Sequence, residues 1–284
     1  MRRVHTRNGE RYVLDSGSGH PVLLLHGFPL DHSMWNAQIQ ELAGPYRVIV
    51  PDLCGFGQSE VHTGTVTMTR HAEDLSDLLT ALEVEEPVTV CGLSMGGYIA
   101  LAFWQYFRHQ LGALILCDTR AAADTVEALD RRLRLADIVL EHGTEAVSEA
   151  MIPQLFAAET LESQPAIVDH VRQVIARSEP EGVAAALRGM AARRDMTARL
   201  TEITQPALLV VGSEDQITPV AEMRSMAEAL PAGQLSVIAG AGHMAPLERP
   251  AAVNAAIVAF LEGLRNHGLP DREHRHNDGR CPDS

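Results

Sequence analysis

Lysine is absent from this chain of 284 residues, because all 23 of its Lys or Arg positions are arginine. Without a Lys amine the protein cannot run Schiff-base or pyridoxal chemistry, and it lacks the phosphate-binding Lys of a P-loop. The 37 acidic residues outnumber the basic ones and give a formal net charge of −14. Because an acidic surface repels nucleic-acid phosphates and anionic membranes, we expect neither as a partner.

Cysteine and long apolar runs are also scarce. The 4 cysteines form no C-x-x-C pair, so we expect neither a cysteine metal site nor a disulfide framework. No uninterrupted apolar segment approaches the ~20 residues of a membrane span, and the N-terminal stretch MRRVHTRNGERYVL lacks the apolar core of a signal peptide. These absences predict a cytoplasmic protein.

Short aliphatic runs alternate with longer helical patterns along most of the chain. Strands are predicted at residues 12–15, 22–26, 47–51, 88–92, 113–117, 207–212 and 234–238, and helices at 33–42, 68–82, 95–107, 220–230 and 251–263. Most of the strands are continuously apolar, as parallel strands covered on both faces are. The alternation predicts an α/β fold with a mostly parallel sheet flanked by helices.

Residues 120–205 interrupt this alternation with helical patterns alone, punctuated by proline and glycine. An insertion of this length is too long for a loop, so we predict a helical cap. The cap is either extra packing material or, as we favour, a lid over a pocket at the carboxyl ends of the strands. Residues 1–119 and 206–266 then form the core, and the polar tail 267–284 is predicted to be disordered. Three histidines of the tail are interpreted as solvated rather than as metal ligands: His267, His274 and His276.

The string GLSMG at residues 92–96 follows a predicted strand and precedes a predicted helix. The G-x-S-x-G pattern requires this context, because its Ser sits on a tight strand-to-helix turn with small residues two positions away on either side. Such a turn exposes Oγ and places a helix N-terminus beside any negative charge that forms there. Ser94 is therefore the predicted nucleophile.

A serine needs a base, and the base needs an orienting acid. Asp215 and His243 follow Ser94 in the order Ser, Asp, His, each on a loop just past a predicted strand. We predict that Asp215 orients His243, which takes the Ser94 proton. An Asp in such a loop is also a common turn-former. Two other acids compete for the role, namely Glu214 next door and Asp118 at the end of the preceding strand.

Acyl transfer creates an oxyanion, and preorganised N–H donors stabilise it. The string HGFP at residues 26–29 follows a strand, and its Gly lets the backbone turn an N–H outward. We predict the N–H groups of Phe28 and Met95 as the donor pair. His26 is interpreted as a partner within the turn rather than as a base, and the Gly-rich segment 52–59 as a structural turn rather than a phosphate loop.

Six strings occur in order: HGFPLDHSMW, PDLCGFGQS, GLSMGGYIAL, LCDTRAAADT, GSEDQITP and GAGHMAPLERP. Together they resemble the α/β-hydrolase superfamily up to about residue 264, and within it the cofactor-free carboxylesterases, 3-oxoadipate enol-lactonases and bacterial perhydrolase-type esterases. The resemblance implies an eight-stranded sheet with a helical cap after the sixth strand. It also implies Ser94, Asp215 and His243 as the triad, with Phe28 and Met95 as oxyanion donors. The dehalogenase branch carries Asp where this chain has Ser94, which argues against that chemistry.

These observations predict a serine hydrolase that cleaves a small carboxylic ester or lactone through an acyl-enzyme, with no cofactor and no metal. Carbon–carbon bond hydrolysis, acyl transfer and perhydrolysis use the same triad and stay open, as does a small-molecule sensor built on this scaffold. Homo-oligomerisation is left open. Four residues are candidates for the pocket walls: Phe28, Trp35, Met95 and Phe156. For Phe156 the alternative is a place in the core of the cap.

Overall fold

A computed structural model describes residues 1–266 of the chain. Eight strands form one sheet: β1 (Arg2–Thr6), β2 (Gly9–Ser16), β3 (Pro21–Leu25), β4 (Arg47–Pro51), β5 (Val88–Leu93), β6 (Leu111–Cys117), β7 (Ala207–Gly212) and β8 (Gly233–Ile238). Their order is β1-β2-β4-β3-β5-β6-β7-β8. The β1–β2 and β2–β4 pairs are antiparallel, and every other pair is parallel. The predicted α/β fold with a mostly parallel sheet is confirmed.

Strand burial follows position in the sheet. All residues of β3, β5 and β7 are buried, which explains their continuous apolar runs. In contrast, the edge strand β1 has the sequence RRVHT and buries only Val4. The sequence pattern did not predict β1, because its charged side chains, which are typical of an exposed sheet edge, leave no run of apolar residues.

Of the α-helices in residues 1–266, six lie outside the segment between β6 and β7: α1 (Asn36–Leu42), α2 (Met68–Ala81), α3 (Met95–Phe107), α9 (Val220–Ala229), α10 (Ala245–Glu248) and α11 (Pro250–Asn266). The helix α3 packs on β3, β5 and β6 and also contacts α2, while α11 contacts α1, β7 and β8. The short helix α10 was not predicted, since four residues are too few to show a helical period.

Residues between β6 and β7 form five α-helices: α4 (Val126–His142), α5 (Glu145–Leu155), α6 (Ala158–Ser163), α7 (Pro165–Arg177) and α8 (Pro180–Ala191). Two of them begin with proline, whose fixed φ and missing N–H suit a first helical position. The helices pack mainly as the pairs α4–α8 and α5–α7. Contact with the core is close at Gly182, where an added Cβ would lie 2.1 Å from the carbonyl oxygen of Gly55.

Residues 1–266 contain no helix that is both long and apolar enough to cross a membrane. In this same range Cys54, Cys91 and Cys117 are buried free thiols. The predictions for the tail 267–284, including its three histidines, concern residues outside the described part of the chain.

Candidate active site

Ser94 stands at the turn between β5 and α3. Its backbone is strained, with φ 50° and ψ −108°, and its N–H donates to the carbonyl oxygen of Cys117 at 2.9 Å. From Val88 to Trp104 every residue is buried except Ser94. A left-handed φ on a non-Gly residue costs about 1–3 kcal/mol and marks a constrained site. The turn therefore lifts this side chain alone out of an otherwise buried segment.

Two glycines make the turn sterically feasible. A Cβ on Gly92 would lie 2.3 Å from the backbone of Gly96, and one on Gly96 would lie 2.3 Å from the carbonyl oxygen of Leu25. Contacts this short do not occur for real Cβ atoms, so α3 can approach β5 and β3 only because both positions lack a side chain. The G-x-S-x-G pattern here reflects backbone packing around Ser94.

Asp215 and His243 are paired. Nδ1 of His243 lies 2.8 Å from Oδ2 of Asp215, and both side chains are almost inaccessible, at 3% and 0%. Because an ionised carboxylate only accepts hydrogen bonds, Nδ1 carries the proton, which leaves Nε2 as an acceptor. That tautomer is the one a general base toward a serine hydroxyl requires.

The Asp215 carboxylate also organises its own turn. Oδ1 accepts from the backbone N–H groups of Ile217 (2.8 Å) and Thr218 (3.0 Å), and Oδ2 accepts from the Thr218 hydroxyl. Burial raises the pKa of Asp215, but the hydrogen bonds from His243 and Thr218 outweigh burial and hold it below its ordinary value. The two interpretations of Asp215, turn-former and partner of His243, therefore both hold.

The competing acids face elsewhere. Oδ1 of Asp118 accepts from the N–H of Gly212 at 2.8 Å, and its Oδ2 is buried without a partner. Burial, and then the nearby charge of Asp215, raise the pKa of Asp118 well above its ordinary value. The third acid, Glu214, is exposed.

Hydrogen bonds between strand ends bring the three loops to one edge of the sheet. The N–H of Ser94 reaches Cys117 at the end of β6, and the N–H of Asp118 donates to Val210 of β7 at 2.8 Å. Past β7, the N–H of Glu214 donates to Ala241 in the His243 loop, also at 2.8 Å. The edge thus joins the nucleophile loop to the loops of the acid and the base.

The predicted oxyanion donors lie at the same edge. Met95 is the first residue of α3, and the first N–H groups of a helix have no partner within it. The loop that bears Phe28 adjoins the nucleophile turn, because a Cβ on Gly27 would lie 3.0 Å from the Leu93 side chain. Met95 is thus the chain neighbour of Ser94, and the loop that bears Phe28 packs beside the nucleophile turn. The roles of the two N–H groups stay predictions.

His26 serves the structure of this loop. Nε2 accepts from the N–H of Leu53 at 3.0 Å, so Nδ1 is the donor to the carbonyl oxygen of Gly27, also at 3.0 Å. Complete burial lowers the pKa of His26, so the ring is neutral near pH 7. Its two nitrogens join the loop after β3 to the loop after β4, as the interpretation of His26 as a turn partner requires.

The cap meets the core beside His243. The N–H of Met244 donates to the carbonyl oxygen of Leu155 at 3.1 Å, and a Cβ on Gly242 would lie 2.6 Å from the backbone nitrogen of Ala157. Of the predicted wall residues, Trp35 and Met95 are fully buried. Phe28 and Phe156 retain 8% and 5% exposure, so they alone of the four offer any accessible surface.

A cavity of about 200 Å³ lies one helical turn past Ser94, beside Tyr98. It is lined by α3, by the end of the cap and by arginines that include Arg193, whose guanidinium stacks 4.4 Å from the Tyr98 ring centre. Arg193 is also paired with Asp124 at 2.8 Å. Neither Ser94 nor His243 lines this cavity, so we do not assign it to the reacting group.

Asp31, His32 and Asp52 bring three potential metal-ligand atoms within 4.8 Å of one another. The Asp52 carboxylate is already committed, because Oδ1 accepts from the N–H and Nδ1 of His32, and Oδ2 from the N–H of Gln58. We therefore assign this cluster to the structure of the loop.

Two residues at the site were missed from the sequence. Thr218 holds Asp215 and lies 3.4 Å from Nδ1 of His243. Glu248, 2% exposed, accepts hydrogen bonds from the backbone on both sides of His243. The only sequence signal for Glu248 is its place in GAGHMAPLERP, as an acid among apolar residues just after the predicted base.

The chain belongs to the α/β-hydrolase family, because the family model described as "alpha/beta hydrolase fold" matches residues 20–250. It is an enzyme of this superfamily with esterase-like and lactonase-like relatives.

Three relatives show which enzymes this chain is similar to. The malate-bound structure of a thermophilic esterase from Thermogutta terrifontis matches with a TM-score of 0.91 and 44% identity, covering 93% of this chain and 98% of that one. The enol-lactonase from Burkholderia xenovorans LB400 matches with a TM-score of 0.86 and 26% identity, covering 92% of this chain and 100% of its own. The 3-oxoadipate enol-lactonase 2 of Acinetobacter baylyi is 28% identical over 230 residues, or 81% of this chain and 84% of the relative.

Proposed function

We propose that this protein hydrolyses a small carboxylic ester or lactone through an acyl-enzyme on Ser94. The observation that carries the proposal is the buried pairing of His243 Nδ1 with Asp215 Oδ2 at 2.8 Å. This pairing lies at the sheet edge that also presents a strained, partly exposed Ser94. The esterase and enol-lactonase relatives support the substrate class.

In the acylation step, Oγ of Ser94 attacks the carbonyl carbon while Nε2 of His243 takes the hydroxyl proton. The carbonyl oxygen becomes an oxyanion, which the N–H groups of Phe28 and Met95 stabilise. One such donor is worth roughly 100- to 1,000-fold in kcat. Asp215 stabilises the imidazolium that forms. When the tetrahedral intermediate collapses, the bond to the leaving oxygen breaks and His243 returns the proton to that oxygen.

Deacylation repeats these steps with water as the nucleophile. His243 removes a proton from the water, and the hydroxide adds to the acyl carbon. When this second intermediate collapses, the bond between the acyl carbon and Oγ breaks and Oγ takes the proton from His243, which releases the carboxylic acid and restores Ser94. For an ester, the alcohol leaves before this step. For a lactone, the alcohol stays attached to the acyl group, so the product is a single hydroxy acid.

The test is steady-state hydrolysis of p-nitrophenyl esters of increasing acyl length and of simple aliphatic lactones, with wild type beside Ser94→Ala. We expect turnover of short-chain substrates and a loss of at least ~1,000-fold in kcat in the variant. The matched control is Ser225→Ala, which removes an exposed hydroxyl on α9 and should leave activity unchanged. Ordinary turnover by Ser94→Ala would refute the proposal.

Other outcomes of the same experiment would assign a different reaction or role to the protein. Rapid diketone cleavage without ester turnover would assign carbon–carbon bond hydrolysis to the same triad, while transfer to an added alcohol or peroxide would assign acyl transfer or perhydrolysis. Binding of a small ester with negligible multiple turnover would favour a sensor. The cytoplasmic location stays a prediction from the sequence, and the oligomeric state stays open.

A further inference from the structure

Glu248 is a buried carboxylate whose hydrogen bonds all come from backbone N–H groups. Its exposure is 2%. Oε1 accepts from Gly242 at 2.8 Å and from Met244 at 3.3 Å, and Oε2 accepts from Ala157 at 2.8 Å. Within residues 1–266 no salt bridge of Glu248 is present, and a buried carboxylate requires such donors to offset the loss of hydration.

The three donors belong to two different parts of the fold. Gly242 and Met244 are the neighbours of His243 on either side, so one oxygen fixes the backbone that carries the base. Ala157 precedes α6 in the cap. One side chain therefore binds both the His243 loop and the cap.

The surrounding contacts show a close fit between these segments. Besides its bond to Glu248, the N–H of Met244 reaches the carbonyl oxygen of Leu155 at 3.1 Å, and Gly242 leaves no room for a Cβ beside Ala157. On the surface of the same junction, Arg249 donates to Glu159 at 2.8 Å. The Glu159 side chain is 69% exposed, so this pair is screened by solvent and contributes little.

We propose that Glu248 is a positioning residue that aligns His243 through the backbone and ties that alignment to the seating of the cap. The inference deepens the proposed function and rests on it, because the alignment matters only if His243 acts as the base. Glu248 contacts no reacting atom. Its loss should therefore slow proton transfer and leave substrate binding nearly intact.

The kinetic test compares Glu248→Ala and Glu248→Gln with Glu159→Gln, which removes the exposed carboxylate of the same junction. A misplacement of about 1 Å in a catalytic group costs ~100-fold, so we expect kcat to fall ~100-fold in Glu248→Ala with KM changed less than ~3-fold. Glu248→Gln keeps one acceptor oxygen, so its kcat should lie between those of Glu248→Ala and wild type. Glu159→Gln should match wild type.

Far-UV circular dichroism supplies the folded fraction, so that kcat is given per folded molecule. If Glu248→Ala does not fold, Glu248→Gln decides the matter with a smaller change. A purely structural role would lower the melting temperature and leave kcat per folded molecule unchanged, and that result would overturn the proposal. A rise in KM at constant kcat would overturn it as well.

A second readout needs no substrate. The Nδ1 proton shared by His243 and Asp215 should give a low-field proton NMR resonance, assigned by its loss in Asp215→Asn. We expect the resonance to shift or broaden in Glu248→Gln and to stay unchanged in Glu159→Gln. An unchanged resonance in Glu248→Gln would overturn the proposal. If wild type hydrolyses no ester or lactone but the resonance responds, the positioning role stands and the proposed reaction fails.

Discussion

Replacing Asp215 with Asn is a sharp test of the site, because the turn around this residue dictates which way the amide will face. The two oxygens of Asp215 have different partners. Oδ1 holds the N–H groups of Ile217 and Thr218, while Oδ2 faces His243 Nδ1 and the Thr218 hydroxyl. In Asn the single oxygen should take the Oδ1 place, because two backbone donors there have no other acceptor, whereas the Thr218 hydroxyl can rotate.

The amide NH₂ would then face His243 Nδ1 as a donor. Nδ1 must become an acceptor, which moves the ring proton to Nε2 and removes the lone pair that should receive the Ser94 proton. Loss of the productive tautomer in a triad lowers kcat by about 10,000-fold, or about 5.4 kcal/mol in activation free energy. The fold should be little affected, since the turn keeps its backbone hydrogen bonds.

The assay is kcat for the best p-nitrophenyl ester, with circular dichroism as the check on folding. The matched control is Asp118→Asn at the end of the neighbouring strand. The hydrogen bond that Asp118 accepts comes from the Gly212 N–H, and an Asn oxygen can still accept it, so we expect kcat within about 10-fold of wild type. Equal losses in the two variants, or more than a tenth of wild-type kcat in Asp215→Asn, would refute this reasoning.

Three further predictions concern stability. Complete burial lowers the pKa of His71 to about 3 in the folded protein, whereas its pKa in the unfolded chain is about 6.5. Below pH 6.5 His71 is therefore protonated in the unfolded chain but stays neutral in the folded protein. Stability should therefore fall by about 2 kcal/mol between pH 6.5 and pH 5 on this account, and denaturant titrations of His71→Leu should lack that part of the pH dependence. An identical pH dependence in wild type and His71→Leu would contradict the assignment. Gly96→Ala should destabilise by about 3 kcal/mol or more, because its Cβ would lie 2.3 Å from the Leu25 carbonyl oxygen. Gly44→Ala, with nothing within 4 Å, should stay within about 0.5 kcal/mol of wild type, and similar melting temperatures for the two variants would count against the packing argument. Arg11→Met should cost about 2–3 kcal/mol in urea unfolding, because it leaves the buried carboxylate of Asp74, whose side chain is 5% exposed, with only the more exposed Arg70 at 3.5 Å as a charged partner. A loss below about 1 kcal/mol would show that Arg70 or a proton compensates fully for the missing Arg11.

The main elements of the fold could be read from local patterns. The runs that became β3, β5 and β7 are apolar throughout because both faces of a central strand are covered. Ser94 could be identified as the candidate nucleophile because the turn around it requires small residues at fixed positions. These positions are close neighbours of Ser94 in the sequence.

The choice among acids could not be made locally. Asp118 and Asp215 both follow strands and both lie at the same edge, but only Asp215 meets His243. Asp118 instead turns to Gly212 from a backbone with φ 43°. Which acid pairs with His243 depends on how separate loops are placed in the folded protein. The spacing of these residues in the sequence does not predict that placement.

The alternation of strands and helices, the tight turn at Ser94 and the order of the acid and base candidates follow from the amino-acid sequence, because each is visible in short stretches of the chain. Three features required the folded structure: β1 joins the sheet, Thr218 and Glu248 hold the acid and base loops, and the cap packs beside His243. These features are hydrogen bonds and contacts between residues that folding brings together, such as Ala157 and Glu248, and they depend on the whole chain packing around one core.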